Sequence, residues 1–423
     1  MQLRKMRGPL AVIIASIAAA CATPPRVAPA RESPATPAES VALGEPMLLR
    51  GYLGRAPIEA TLVETDTGWR GCYRLLGTKQ RRRVTVTAGA PITRPPECPE
   101  CDPDDDSRPA QVECRFEAGS GDSLIRSVGA RCTYTLESSV EIEGDVVSPK
   151  HRTKVPFFLG PTSYGAPPDT VVLALSRERA VTHACAPFVD LLDVRTLPRR
   201  RKAVLYNQSF PCDERARAQD ASPGDLTPEL RLASFVDSNR SQLQFALAVP
   251  GEPVDGVPSL RVYELASGVE IYEVARHAAV PMAGNGRTLV TDAGKLLALA
   301  ANGEAGEPLN LPDVQFYDTG CDPFDEVNVI VAELDEAPPA EVVVELRHVV
   351  EPCRDVPGDP EPDVIAYSAF RFDPQIAHFE RLKMSSDEIA AKGNQRNFND
   401  VSRPEESWQL PASPAAESAN GCD

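Results

Sequence analysis

The sequence predicts a mainly β protein: two antiparallel β-rich modules, sandwich- or barrel-like, with few short helices and a disordered amino-terminal tether. Three observations predict this. Short segments alternate apolar and polar residues with period two, as half-buried antiparallel strands do. Glycines fall between those segments as turn residues. Proline supplies 41 of 423 residues, about twice its average use, which leaves little room for long helices.

The elements follow in chain order. From Met47 to about Gly160, Val84-Thr85-Val86-Thr87, Thr133-Tyr134-Thr135-Leu136 and Val140-Glu141-Ile142-Glu143 read as strands. Gly51, Gly68, Gly77, Gly129 and Gly144 read as turns between such strands. From Thr170 to about Met384 the strands continue, with Val171 to Leu175 as the first. Leu230, Leu232 and Val236, a turn at Asp237 to Arg240, and Leu243, Phe245, Leu247 and Val249 form one hairpin. Leu260 to Tyr263 and Ile271 to Val274 form a second across Ser267-Gly268. Leu289-Val290, Leu296-Leu297, Val327 to Val331, Val342 to Val344 and Phe370 to Phe372 add further strands. That spacing suggests a sandwich or an irregular propeller. One helix is expected after the capping box Ser385-Ser386-Asp387-Glu388, stopping at Gly393.

The amino terminus carries its own order. Arg4, Lys5 and Arg7 precede an apolar run from Leu10 to Ala20, about half the ~20 residues a transmembrane helix needs. Ala18-Ala19-Ala20 and Cys21 follow. This resembles a bacterial lipoprotein signal peptide, which implies that Cys21 is lipidated and becomes the mature amino terminus. Lipoproteins prefer Leu three residues before that cysteine, and here the position holds Ala18. Simple cleavage after Ala22 is the alternative, because Ala20-Cys21-Ala22 also has the A-x-A form. Ala22 is not Asp, which by the same resemblance implies delivery to the outer membrane. The proline-rich stretch that follows has too few apolar side chains to offset its ordering entropy, and extends at ~3.1 Å per residue. The organisation read from these features is signal peptide 1–20, lipidated Cys21 and tether 21–46, N-terminal β-module 47–165, C-terminal β-rich domain 166–395 and polar tail 396–423.

Charge and cysteine content bound the function. The formal charge is −17, and removing Arg4, Lys5 and Arg7 takes it to about −20. An acidic body repels nucleic acid and anionic headgroups. Lys79 with Arg81 to Arg83, and Arg199 to Lys202, are basic exceptions that read as solvated faces. Setting Cys21 aside leaves ten cysteines: Cys72, Cys98, Cys101, Cys114, Cys132, Cys185, Cys212, Cys321, Cys353 and Cys422. In an oxidising compartment an even set reads as disulfides of unassigned connectivity. Five fall on each side of residue 165, so either a bridge joins the halves or each half keeps a free thiol. Cys422, in a tail with no core of its own, reads as a staple onto the body. Cys98-Pro99-Glu100-Cys101 lacks the strand and helix that a redox CxxC needs. A zinc site of Cys98, Cys101, Cys114 and Cys132 would be unusual where disulfides form.

Gly51-Tyr52-Leu53-Gly54, the alternating Ile58 to Leu62 and Gly71-Cys72-Tyr73-Arg74 are followed by Gly144-Asp145-Val146, Ser148-Pro149-Lys150 and Val155 to Leu159. Over about residues 47–160 this set resembles a small β-module of uncharacterised bacterial periplasmic and lipoprotein sequences. The resemblance implies no activity. The chain departs from it in the Cys-rich acidic insertion from Pro95 to Cys114.

Catalytic signatures are missing: no G-x-S-x-G, H-E-x-x-H, S-x-x-K or Walker loop occurs. His151, His183, His277, His348 and His378 show no metal-ligand spacing. One constellation stands out. Asp102, Asp104, Asp106 and Glu113 fall at positions one, three, five and twelve of an EF-hand-type calcium window, which Cys101 and Cys114 could clamp by a disulfide. Ser107 and Pro109 oppose the loop geometry, so a solvated acidic loop is the expected reading and calcium the alternative. No cofactor is expected; calcium at this window is the one candidate. The functional expectation is a non-catalytic, lipid-anchored envelope protein that binds or positions a protein or glycan partner. Its contacts would be the membrane, through the lipid, and that partner, with no nucleic acid. The rival is an exported envelope hydrolase whose site is assembled from dispersed carboxylates and histidines.

Overall fold

The computed structural model describes residues 45–91, 111–119, 124–134, 140–147, 153–177, 185–212, 229–236, 242–250, 257–265, 269–281, 288–300, 303–318, 324–332, 334, 341–349, 364–392, 401–405 and 422. The readings made for Cys21 and for the rest of residues 1–44 lie outside this set. The described residues form one compact unit. It is mainly β.

The first eight strands close into an antiparallel up-and-down barrel. They are β1 (Met47–Leu53), β2 (Ala56–Thr65), β3 (Gly68–Leu75), β4 (Arg81–Pro91), β5 (Gln111–Ala118), β6 (Ile125–Tyr134), β7 (Val140–Val147) and β8 (Lys154–Pro161). Each pairs with its chain neighbour, and β8 returns to β1 with Gly51 opposite Leu159. A closed sheet has no edge to expose. With eight strands, the interior is narrow enough for side chains to fill it. Leu49, Ile58, Leu62, Trp69, Phe116 and Leu159 are among those that do. The Phe116 and Phe157 rings lie 4.8 Å apart within this core. In β7 the alternation Val140-Glu141-Ile142-Glu143 becomes strict alternation of buried and half-buried residues.

Three of the five glycines read as turns lie inside strands instead: Gly51 in β1, Gly129 in β6 and Gly144 in β7. Gly129 sits where the β6–β7 register shifts, a bulge that bends the sheet. Gly51 is required by close approach: a Cβ there would meet the Phe158 carbonyl oxygen at 1.8 Å. Barrel closure brings β1 and β8 together at that point.

The chain then forms three antiparallel sheets packed face to face in series. Helix α1 (Asp169–Arg177) leads into sheet I, made of β9 (Phe188–Leu197), β10 (Arg201–Ser209), β11 (Glu229–Val236) and β12 (Gln242–Ala248). Sheet II contains β13 (Val257–Glu264), β14 (Glu270–Pro281), β15 (Thr288–Ala298), β16 (Leu309–Asn310) and β17 (Val314–Asp318). Sheet III contains β18 (Phe324–Ala332), β19 (Glu341–Val349), β20 (Val364–Asp373) and β21 (His378–Arg381). Helix α2 (Ser386–Lys392) follows, and β22 (Arg403–Pro404) returns to pair with β9.

Each sheet buries both faces. Leu205 and Leu232 of sheet I meet Val262 and Tyr272 of sheet II. On the other face of sheet II, Tyr263, Ile271 and Leu296 meet Val329, Val342 and Phe372 of sheet III. The outer face of sheet I packs on α1, and that of sheet III on Ile389 of α2. The capping box forms as read: the Glu388 carboxylate accepts the Ser385 N–H at 2.8 Å, and the Glu388 N–H reaches Ser385 Oγ at 3.3 Å.

The structure corrects two strand readings. Residues 171–175 are helical, within α1. Its Val171, Val172 and Leu175 are buried on one side, with Asp169 in the first turn and Arg177 in the last. Five apolar residues carry too little periodicity to separate a strand from a helical turn. Leu289-Val290 and Leu296-Leu297 belong to the single strand β15, not to two strands.

Among the described residues, three disulfides brace the fold: Cys72–Cys422, Cys114–Cys132 and Cys185–Cys212. The first joins the barrel to the carboxyl-terminal segment, the connection between halves that cysteine parity raised. The second corrects the Cys101–Cys114 clamp and removes the four-cysteine zinc site, because Cys114 and Cys132 bond each other. Cys98, Cys101, Cys321 and Cys353 lie outside the described residues.

Barrel and stack meet through a buried ion network. Arg50, Glu59 and Arg74 stand side by side across β1, β2 and β3 on the outer barrel face. Arg50 Nη2 donates to Glu59 Oε2 at 2.6 Å and to the Pro167 carbonyl at 2.8 Å. Arg74 Nη2 donates to Glu59 Oε1 at 2.7 Å and to Asp169 Oδ1 of α1 at 2.7 Å. The Gly77 N–H also donates to Asp169, at 2.9 Å. Burial pushes the Asp169 pKa up, but the Arg74 and Gly77 hydrogen bonds and the arginine charges outweigh it and hold the group below the usual aspartate value.

Gly51→Ala places a methyl inside the β1–β8 contact. Overpacking against backbone costs about 1–3 kcal/mol, so the urea midpoint should fall with an unchanged slope. An unaltered midpoint would show that β1 and β8 do not approach as described.

Candidate functional site

The register of sheet II creates a recess. On the face toward sheet III, cross-strand rows run Tyr263–Ile271–Ala298, then Arg261–Glu273–Leu296, then Ser259–Ala275–Gly294. The first row lies in the apolar core between the sheets. The last row is made of small side chains, and there the core gives way to a recess of about 200 Å³. Leu311, Pro312 and Val314 form one wall, and Val327 of β18 reaches it from sheet III.

The middle row supplies charge. Glu273 lines the recess yet is only 5% exposed. Its carboxylate accepts a hydrogen bond from the Tyr263 hydroxyl. Burial first, and then the Glu273 charge, push the Tyr263 pKa above the ordinary tyrosine range, so the hydroxyl keeps its proton and remains a donor. Arg261 stands directly opposite Glu273 and hydrogen-bonds the Tyr263 hydroxyl. Arg276 borders the recess at its Ala275 neighbour, on the other face of β14 with Tyr272 and Val274. The recess face thus carries Arg261, the buried Glu273 carboxylate and Ser259 beside apolar walls.

A second polar pair lies on the facing sheet. His348 Nδ1 and Asp325 Oδ1 are 2.8 Å apart, opposite each other on β19 and β18. Asp325 is two residues from Val327 on an unshifted strand, so it shares that face about 7 Å further along. A carboxylate on one imidazole nitrogen fixes ring orientation and tautomer.

The residues singled out from sequence are distributed differently. Of the calcium window, Asp102, Asp104 and Asp106 lie outside the described residues. Glu113 is exposed on β5, paired across the ladder with Arg131 of β6. Among the described residues, no group of three or more His, Cys, Asp or Glu could hold a metal. His378 is exposed at the start of β21, His277 occupies β14, and His151 and His183 lie outside the described residues. Only His348 gains a described carboxylate partner.

Sequence reasoning placed Leu260 to Tyr263 and Ile271 to Val274 in a hairpin but assigned their charges no role. The available signal was Glu273. Ile271 and Val274 show that β14 is apolar on both faces, so a carboxylate between them must be buried. No protein family, curated protein or solved structure matches this chain.

Tyr263→Phe removes one hydrogen bond from a buried carboxylate. The expected loss of stability is about 1–3 kcal/mol, read as a lower thermal midpoint. Unchanged stability would mean that Glu273 does not depend on that hydroxyl.

Proposed function

We propose that this protein is a non-catalytic, lipid-anchored protein of the bacterial cell envelope that captures a ligand or a group of a larger partner in the recess between sheets II and III. The observation that carries the reading is the Ser259–Ala275–Gly294 row. It leaves a concavity at the end of a packed core, beside the row that holds the buried Glu273 and Arg261. Convergent polar groups on apolar walls are the usual composition of a binding pocket. At about 200 Å³ the recess is smaller than pockets for drug-sized molecules, and suits a fragment-sized molecule or one group of a larger partner. The disulfides suggest an oxidising, extracytoplasmic location. The Arg4-to-Cys21 order supports lipidation at Cys21, and Ala22 supports an outer-membrane destination, facing the periplasm or the cell surface.

The hydrolase reading draws on a different observation, the Asp325–His348 pair, which has the geometry of a general base and its orienting group. Binding is preferred because no described hydrogen bond joins a serine, cysteine or threonine to His348.

One fractionation and purification series tests the proposal. Wild type should partition with membranes, and Cys21→Ser should release it. Native mass spectrometry of the solubilised protein should show a bound species that Ala275→Phe, which fills the recess, removes. A soluble wild type contradicts anchoring. A bound species indifferent to Ala275→Phe contradicts the recess. Ester or glycoside hydrolysis abolished by His348→Ala would establish the hydrolase instead.

A further inference from the structure

The charges on the recess face balance. Among the residues that line it, Arg261 and Glu273 carry opposite charges on that face, and Arg276 lies on the other face of β14. A ligand with a net charge would lose hydration without gaining an unmatched counter-charge. Burying a charge on those terms costs more than burying a neutral polar group. The balance therefore selects a neutral ligand, and the two side chains select its polarity. Glu273 is buried and its carboxylate only accepts hydrogen bonds; Arg261 is exposed on the edge strand β13 and only donates them. Both bond the Tyr263 hydroxyl. That contact takes one of roughly four acceptor sites on the carboxylate and one of roughly five guanidinium donors. An amide is the neutral group that puts a donor and an acceptor on neighbouring atoms. An ester offers only acceptors. Leu311, Pro312, Val314 and Val327 add apolar surface beside the polar pair.

We propose that the recess binds a neutral amide attached to a short apolar group, with the amide N–H on Glu273, the amide carbonyl on Arg261 and the apolar group against Leu311, Val314 and Val327. Two sources carry that chemistry: a free short-chain carboxamide, and an amide group of a peptide chain. The inference rests on the recess being the site of the proposed function. The buried carboxylate sets the donor end of the ligand inward, and the exposed guanidinium sets the carbonyl toward the rim.

The test is calorimetric and NMR titration of the oxidised full chain with isovaleramide, methyl isovalerate, isovalerate, isoamylamine and N-acetyl-leucinamide. Isovaleramide or N-acetyl-leucinamide should bind saturably and shift the Ala275 and Gly294 amide resonances. Methyl isovalerate keeps the carbonyl but lacks the N–H, and should bind about fivefold more weakly than isovaleramide. The acid and the amine should each bind about tenfold or more weakly. Glu273→Gln leaves Arg261 unmatched and should bring isovalerate above isovaleramide. Arg261→Gln leaves Glu273 unmatched and should bring isoamylamine above it. A gain of binding separates changed recognition from lost folding. Tighter binding of N-acetyl-leucinamide assigns a peptide, and tighter binding of isovaleramide a free carboxamide. Both outcomes support the amide. Equal binding of amide and ester, tighter binding of acid or amine by the wild type, an unchanged order in both variants, or no saturable binding overturns it. A native species lost on Ala275→Phe alongside a failed amide series would overturn the ligand class and leave the recess reading standing.

Discussion

The structure depends on Glu59. Both of its oxygens accept arginine donors, from Arg50 on one side and Arg74 on the other, at a site only 6% exposed. Arg74 carries the connection onward to Asp169, the first residue of the helix that covers sheet I. Arg50 carries it to the Pro167 carbonyl, in the segment leading to that helix. A buried ion network of this kind adds little over a well-packed apolar substitute, but removing one partner costs about 3–5 kcal/mol. Its effect is to select one arrangement. The outer wall of the barrel meets the stack where these charges are satisfied, and sliding either part would strand several charges away from water. Apolar contacts beside the network complete the joint: Tyr52 and Phe158 of the barrel pack against Ala186 and the Cys185–Cys212 disulfide.

Beyond the joint, the governing constraint is that every sheet of the stack is covered on both sides. Buried strands need no polar face, so charges within them become the informative residues. Glu273 in sheet II and Glu341 in sheet III are both such charges. Glu341 is fully buried, accepts the Leu334 N–H at 2.8 Å and lies 3.4 Å from Arg371. These local partners account for it structurally. Glu273 differs because it borders a recess. The difference arises from the next row along the sheet, where Ser259, Ala275 and Gly294 leave the space unfilled.

Much of the fold was legible in short windows. Alternation in Val140 to Glu143 gave a barrel strand with the same faces, the strands of the two hairpins in sheets I and II pair as read, and Ser385 with Glu388 marked α2. What failed were features that a window does not contain. Gly51 looks like a turn residue until β8, over a hundred positions later, is seen to press on it. The run from Val171 to Leu175 is helical because its apolar side packs on sheet I. The recess was not legible, because a cross-strand row joins residues 259, 275 and 294 through register. Nor was the Asp325–His348 pair, whose members are 23 positions apart.

The claim on which the rest stands is that barrel and stack are one cooperative body because they share the Glu59 network. Calorimetric unfolding of the oxidised protein, beside Glu59→Gln with its disulfides intact, measures this directly. The wild type should unfold in a single transition, and Glu59→Gln should separate it into two at lower temperatures. Two transitions in the wild type, or a single unshifted transition in Glu59→Gln, would contradict the account.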